Sequence, residues 1–64
     1  MKLLWWGYKH TSGTYQAKRY FPDSPFSKEA ILDAYDSDFV DQVVEPFEAE
    51  GREEALQIVK QKTI

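Results

Sequence analysis

The sequence predicts an α+β fold with the element order β-β-α-β-α, in which a three-stranded antiparallel sheet of order 2-1-3 carries both helices on one face. Two aromatic, β-prone runs flank a short Gly-containing segment, as in a hairpin. Two segments with helical apolar spacing follow, separated by one further extended segment. With 64 residues and no Cys, the chain is expected to form one small domain, residues 1–64, held by apolar packing without disulfides.

The hairpin is predicted from residues 3–10 and 14–21, which surround the segment Thr11-Ser12-Gly13-Thr14. If Ser12 and Gly13 form a two-residue turn, Thr11 pairs with Thr14 and Trp5 pairs with Tyr20. A longer turn is the alternative. It would shift the register and move side chains of the second strand to the opposite face.

The two-residue turn assigns each side chain of the hairpin to one face of the sheet. The predicted core side holds Leu4, Trp6, Tyr8 and His10 opposite Phe21, Arg19, Ala17 and Tyr15. The other face holds Trp5 and Tyr20, flanked by Lys9, Lys18 and Gln16. Because both helices are predicted to cover the core side, this second face is expected to be open. Trp and Tyr are enriched at binding hot spots, so an open face that carries them predicts an interaction surface.

The first helix is predicted to begin near Ser24 and Pro25, which suit the N-cap and the first helical position. Ser27 is the alternative N-cap. The helix is expected to run to about Tyr35, and Asp36-Ser37-Asp38 breaks it. Its predicted buried stripe consists of Phe26, Ala30, Ile31, Ala34 and Tyr35.

The third strand is predicted over Gln42–Glu48, with Pro46 at a sheet edge or a bulge because proline cannot donate to a strand ladder. A right-handed crossover from the second strand places the third strand beside the first, so the first strand is central. The second helix is predicted from Arg52 to about Gln61, with acids in its first turn and lysines in its last, as the helix dipole favours. Its predicted buried stripe consists of Ala55, Leu56, Ile58 and Val59.

The formal net charge of −3 conceals an uneven distribution of charge along the chain. Residues 1–28 carry five basic side chains and one acidic side chain, whereas residues 29–64 carry ten acidic and three basic side chains. Mixed charge is ordinary on soluble domains, and we interpret most of it as solvated surface. The aromatic hairpin is nevertheless the basic part of the molecule.

The sequence favours a protein without enzymatic activity and predicts no catalytic residue, no cofactor and no metal site. It contains one His, no Cys, no Gly-rich phosphate loop and no paired-histidine metal motif. His10 is interpreted as a surface histidine that packs on Tyr15 across the hairpin. The alternating acids Asp36 and Asp38 lack the glycine and the terminal acid that a calcium loop requires.

Two stretches carry a resemblance to known proteins, residues 6–21 (WGYKHTSGTYQAKRYF) and residues 43–49 (VVEPFEA). They resemble short uncharacterised proteins encoded by tailed phages and prophages. The resemblance covers most of the chain, has no defined catalytic motif and transfers no functional residue. It implies a small accessory viral protein of the kind that binds a host protein.

The predicted function is a protein-binding module that binds or inhibits a host protein, or that pairs with a second copy of itself as a homodimer. Its predicted binding residues are those of the open face, with the edge of the second strand as a further site for strand addition. The alternative is a single-stranded nucleic-acid-binding protein that uses the same aromatic and basic face. The sequence pI of about 4.9 weighs against that alternative. The apolar run Leu3–Trp6 is too short for a signal or membrane segment, so we expect a cytoplasmic protein.

Overall fold

A computed structural model of the chain describes residues 2–63. It confirms the α+β class, the element order β-β-α-β-α and the sheet order 2-1-3, with all neighbouring strands antiparallel. Neither helix in this part of the chain is long and apolar enough to cross a membrane. The elements are β1 (Leu3–His10), β2 (Tyr15–Arg19), α1 (Pro25–Asp36), β3 (Val40–Ala49) and α2 (Arg52–Lys62).

The hairpin register differs by one residue from the one predicted with a two-residue turn. Trp5 lies opposite Arg19, and Lys9 lies opposite Tyr15. The turn therefore contains three residues, 11–13, and its last residue, Gly13, has a φ of 94°. Glycine adopts this left-handed conformation readily, which makes the longer turn available. The Gly13 N–H donates to the carbonyl of His10 at 2.9 Å and closes the turn.

The two helices cover opposite faces of the sheet, so the prediction that both lie on one face was wrong. Trp5 belongs to the buried cluster that contains Ala55 and Val59 of α2. Trp6, the next residue on β1, points the other way and lies beside Ala34 of α1. A central strand covered on both faces needs apolar side chains on both, and the unbroken run from Leu3 to Trp6 supplies them.

The α2 side of the sheet is closely packed because small residues line it. Gly7 and Ala17 in the sheet let α2 approach closely, and the side chain of Val59 occupies the space above Gly7. The indole Nε1–H of Trp5 donates to the carbonyl of Ala49 at 3.1 Å, which satisfies its one polar atom inside the core. This side is the main core of the domain.

The predicted buried stripe of α1 is only partly correct, since Ala34 is buried as predicted. Ser24 is the N-cap, since its side chain accepts the Phe26 N–H, and Pro25 is the first helical residue. The helix turns its small residues Ser27 and Ala34 toward the protein. Phe26 and Tyr35, which the predicted buried stripe included, are exposed instead. Ala30 and Ile31 of that stripe are half-buried.

Strand β3 lies at a sheet edge and also contains a bulge, so both placements predicted for Pro46 are correct. Trp5 pairs with Phe47 and Gly7 pairs with Val44, which leaves Glu45 and Pro46 together opposite the single residue Trp6. The strand is three residues longer than predicted, because it begins at residue 40 and ends at residue 49. Helix α2 begins at Arg52 as predicted and ends one residue later than expected.

Ser27 joins the start of α1 to the end of the hairpin. Its Oγ accepts the backbone N–H of Phe21 at 3.0 Å, and the residue is buried. We expect Ser27→Ala to lower the free energy of unfolding by about 1–2 kcal/mol, because the Phe21 N–H loses its partner in a partly buried position. Urea denaturation followed by circular dichroism measures the change. Lys28→Ala, on an exposed neighbour, should change stability by less than about 0.5 kcal/mol. Equal effects of the two substitutions would contradict the role given to the hydroxyl.

Candidate interaction surface

The five predicted binding residues do not share one open face. Trp5 is 7% exposed and belongs to the core beneath α2, and Lys9 lies on that same side of the sheet. Lys18, Gln16 and Tyr20 lie on the α1 side, because the three-residue turn moves every β2 side chain to the face opposite the one predicted. The predicted open aromatic face is therefore absent.

The basic side chains near β2 lie over aromatic rings. Lys18 Nζ is 5.8 Å from the centre of the Tyr8 ring on the α1 side. The Arg19 guanidinium is 5.0 Å from the Phe21 ring and 5.6 Å from the Trp5 ring. Cation–π contacts at exposed sites contribute about 0.5–1 kcal/mol each. These contacts hold the positive charge of the hairpin against its own rings.

Within residues 2–63, the large apolar side chains that are exposed all lie in the crossover from β2 to β3. Every one of them is more than half exposed, which is unusual for large apolar residues when an aromatic core is available nearby. We call this set the crossover surface. It consists of Phe26 (76% exposed), Phe39 (65%), Leu32 (62%), Tyr35 (56%) and Phe21 (51%).

The crossover surface has two groups, one at each end of α1. Phe21 and Phe26 form the first group, since the bond from the Phe21 backbone to Ser27 holds Phe21 beside the start of the helix. Leu32 and Tyr35 are three residues apart and neighbour each other on the helix, and Phe39 follows its C-terminal end. The second group therefore offers three apolar side chains close together in the chain.

Acidic residues surround these apolar side chains. Residues 21–39 contain five acidic side chains and one basic side chain. Asp33 and Asp36 are exposed near the second group, and Glu29 is exposed one turn earlier. The crossover surface is thus apolar with an acidic surround, whereas the sequence analysis expected a binding face with basic neighbours.

The prediction that His10 packs on Tyr15 is wrong. Tyr15 lies opposite Lys9, while the end of β1 pairs with Val40 and brings His10 next to Phe39. The two rings are stacked, with centroids 6.1 Å apart and an interplanar angle of 8°. The His10 Nδ1 lies 2.9 Å from Ser12 Oγ and accepts the Ser12 N–H at 3.1 Å. Among the described residues, no group of three His, Asp or Glu is placed to hold a metal ion.

An open hollow of about 350 Å³ lies between α1 and the sheet. The rings of Trp6 and Tyr8 form its floor, with centroids 5.7 Å apart and an interplanar angle of 36°. Small side chains of α1 form the opposite wall, and Lys18 and Asp33 bring charges of opposite sign to it. Its full lining consists of Trp6, Tyr8, Lys18, Ala30, Asp33, Ala34, Ser37 and Val40.

The spacing of small residues is the signal that could have identified the crossover surface from sequence. Ser27, Ala30 and Ala34 are separated by three and four residues and share one helix face. A helix that packs through small residues against a bulky Trp6 turns its own large side chains outward. The apolar character of Phe26 and Tyr35 instead favoured the buried face for both residues.

The chain matches no protein-family model, no curated protein and no solved structure.

Proposed function

We propose that the protein is a non-enzymatic protein-binding module that uses the crossover surface, and that its partner presents an apolar surface edged by basic side chains. The exposure of five large apolar side chains, while α1 packs through serine and alanine, carries this proposal. Exposed aromatic residues are costly on a monomer unless a partner covers them. They are also the residue types enriched at interface hot spots.

The exposed apolar area supplies most of the surface that a specific interface needs. An aromatic side chain offers roughly 150–250 Å² of surface, so the exposed fractions of the five residues amount to about 600 Å². A standard interface buries about 800 Å² on each partner. A partner that spans both groups of the crossover surface would bury most of what such an interface needs.

The charge around the apolar residues favours a different protein as partner over a second copy of this chain. In a symmetric dimer the same surface faces itself, and the acidic side chains of residues 21–39 would face one another. Like charges facing each other across an interface oppose association. Basic side chains on the partner would instead pair with Glu29, Asp33 and Asp36.

The resemblance to accessory proteins of tailed phages belongs to this proposal. It implies a protein of the host cell as the partner and the host cytoplasm as the place of the interaction. Small accessory proteins that bind a host protein need no catalytic residues, because occupancy of the partner's surface is sufficient to inhibit it.

No specific observation favours the nucleic-acid alternative. It required Trp5 and Tyr20 on one open face with Lys9 and Lys18, and these side chains lie on opposite sides of the sheet. The aromatic residues that are exposed lie among acids, which repel phosphate groups. The capture experiment must therefore also be able to detect bound nucleic acid.

The proposal is tested with the double variant Leu32→Ser/Tyr35→Ser, in which two exposed residues of the second group become polar. Proteins captured from a host lysate by the wild type are identified, and the partner is purified. We expect the variant to bind that partner at least tenfold more weakly by isothermal titration calorimetry, because hot-spot residues dominate the energy of an interface.

The matched control is Gln57→Ser/Gln61→Ser, which changes two exposed residues of α2. It should bind the partner as the wild type does, and circular dichroism should show all three proteins folded. Equal affinity of the crossover variant and the control would contradict the proposal. So would a wild type that captures only nucleic acid, or one that dimerises through Leu32 and Tyr35.

A further inference from the structure

The charged residues of α1 are placed against the helix dipole. Asp33 and Asp36 lie in the last turn of the helix, which has no basic side chain, and its first turn has no acidic one. Because the C-terminal end of a helix is negative, these carboxylates lower the stability of α1. Helix α2 has the favourable arrangement, with Glu53 and Glu54 in its first turn and lysines in its last. A placement that costs stability indicates a use of the acids on α1 outside folding.

Two exposed aromatic rings lie at the same end of α1. Tyr35 belongs to the last turn of the helix, Phe39 follows it, and both are more than half exposed. The Phe39 carbonyl accepts the Thr11 N–H at 2.9 Å, and its N–H donates to Ser37 Oγ at 3.2 Å. The His10 ring stacks on one side of the Phe39 ring. Phe39 is therefore held in place and loses little conformational freedom when a partner covers it.

The carboxylates near these rings have no cation from their own chain. Asp33, Asp36 and Asp38 are exposed, and no basic side chain within residues 2–63 forms an ion pair with them. In the same part of the chain, no three acidic or histidine side chains are placed to hold a metal ion. Separate carboxylates beside aromatic rings suit an organic cation, which can lie on a ring and donate hydrogen bonds to a carboxylate.

Arginine matches this surface better than lysine does. The guanidinium group is planar, so it can stack on an aromatic ring while its N–H groups donate to a carboxylate in the same plane. It is also more weakly hydrated than an ammonium group, which makes its burial at an interface less costly. Arginine is accordingly enriched at protein interfaces, whereas lysine is depleted. The matching chemistry is an arginine side chain with apolar neighbours.

We infer that the C-terminal end of α1 binds an arginine side chain of the partner. Its guanidinium lies against the exposed rings of Tyr35 and Phe39 and pairs with the carboxylates of Asp36 and Asp38. Leu32 contacts the apolar residues that flank this arginine. The inference rests on the proposed function and deepens it, because it names the side chain that the partner presents to the second group of the crossover surface.

The inference is tested by titrating the ¹⁵N-labelled protein with three capped peptides of the form acetyl-Ala-Leu-X-Leu-Ala-amide. X is arginine, lysine or citrulline, and citrulline has the shape of arginine without its charge. We expect the arginine peptide to bind at least fivefold more tightly than the citrulline peptide and at least twofold more tightly than the lysine peptide. The amide signals of Asp36, Ser37 and Phe39 should shift. Added salt should weaken the arginine peptide and leave the citrulline peptide unchanged.

The variant Asp36→Asn/Asp38→Asn removes the two carboxylates and keeps their size. It should bind the arginine peptide no better than the citrulline peptide. Asp23→Asn makes the same change at an exposed acid before the other end of α1, and it should bind all three peptides as the wild type does. Asp36→Asn alone should raise the melting temperature, because it removes a negative charge from the negative end of the helix. A lower melting temperature would show that this acid serves folding, and would overturn the inference.

Equal affinity of the three peptides, or no binding at millimolar concentration, would also overturn it. So would amide shifts confined to other parts of the protein, or unchanged binding of the arginine peptide to Asp36→Asn/Asp38→Asn. The test is separate from that of the proposed function. If Leu32→Ser/Tyr35→Ser loses the captured partner while arginine and citrulline peptides bind equally, only the present inference fails. If that variant keeps the partner, the proposed function fails whatever the peptides show.

Discussion

Trp5→Ala is expected to lower the free energy of unfolding by about 3–5 kcal/mol. A domain of 64 residues has a total stability of roughly 3–10 kcal/mol, so a loss of this size removes a large part of it. The indole fills the core beneath α2, and its N–H satisfies the carbonyl of Ala49. Urea denaturation followed by far-ultraviolet circular dichroism measures the loss.

Tyr35→Ala is the matched control for Trp5→Ala, because it also removes an aromatic ring but from an exposed position. It should change the free energy of unfolding by less than about 1 kcal/mol. A Trp5→Ala protein as stable as this control would place Trp5 at the surface. That result would support the predicted open aromatic face over the position of α2 on the Trp5 side of the sheet.

Gly7→Val is expected to destabilise the fold strongly. A Cβ atom at this position would overlap both the Val59 Cγ2 atom of α2 and the backbone carbonyl oxygen of Gln16. Overpacking a core costs about 1–3 kcal/mol in ordinary cases, and we expect at least the upper value here because one of the two obstructing atoms is backbone. Thermal unfolding measured by circular dichroism should show no cooperative transition, or one at a much lower temperature.

Two further variants test whether the effect of Gly7→Val comes from the lack of space at this position. Gly51→Ser introduces a side chain where no atom lies within 4 Å, and serine is a favourable N-cap for α2, so it should be neutral or stabilising. The pair Gly7→Ala/Val59→Ala removes the side-chain overlap and keeps the backbone overlap. It should remain less stable than Val59→Ala alone. If the double variant and Val59→Ala were equally stable, the backbone at Gln16 would be able to move aside.

The element order and the topology could be predicted from the sequence because each depends on local signals. Ser24 and Pro25 mark the start of α1, and the charges at the two ends of α2 suit its dipole. The right-handed crossover then leaves strand one in the centre. Pro46 predicted that β3 lies at a sheet edge or contains a bulge, because a residue without an N–H fits few other places in a sheet. Both features are present.

The faces of the β2 side chains could not be predicted because they depend on a single turn residue. Two- and three-residue turns both suit the segment from Thr11 to Thr14, and the difference is whether Gly13 closes the turn at positive φ. One residue of shift moved Lys18 and Gln16 to the opposite face. The rest of the predicted binding site was lost because α2 covers the side of the sheet that carries Trp5.

The two sides of α1 tolerate substitution to different degrees. Ser27, Ala30 and Ala34 face the protein, and larger residues there would disturb either the packing or the hollow. Phe26, Leu32 and Tyr35 face solvent and contribute little to folding. A lineage could therefore replace the outer residues one at a time while the domain still folds. If the proposed partner binds the crossover surface, helix α1 allows the protein to follow changes in the surface of that partner.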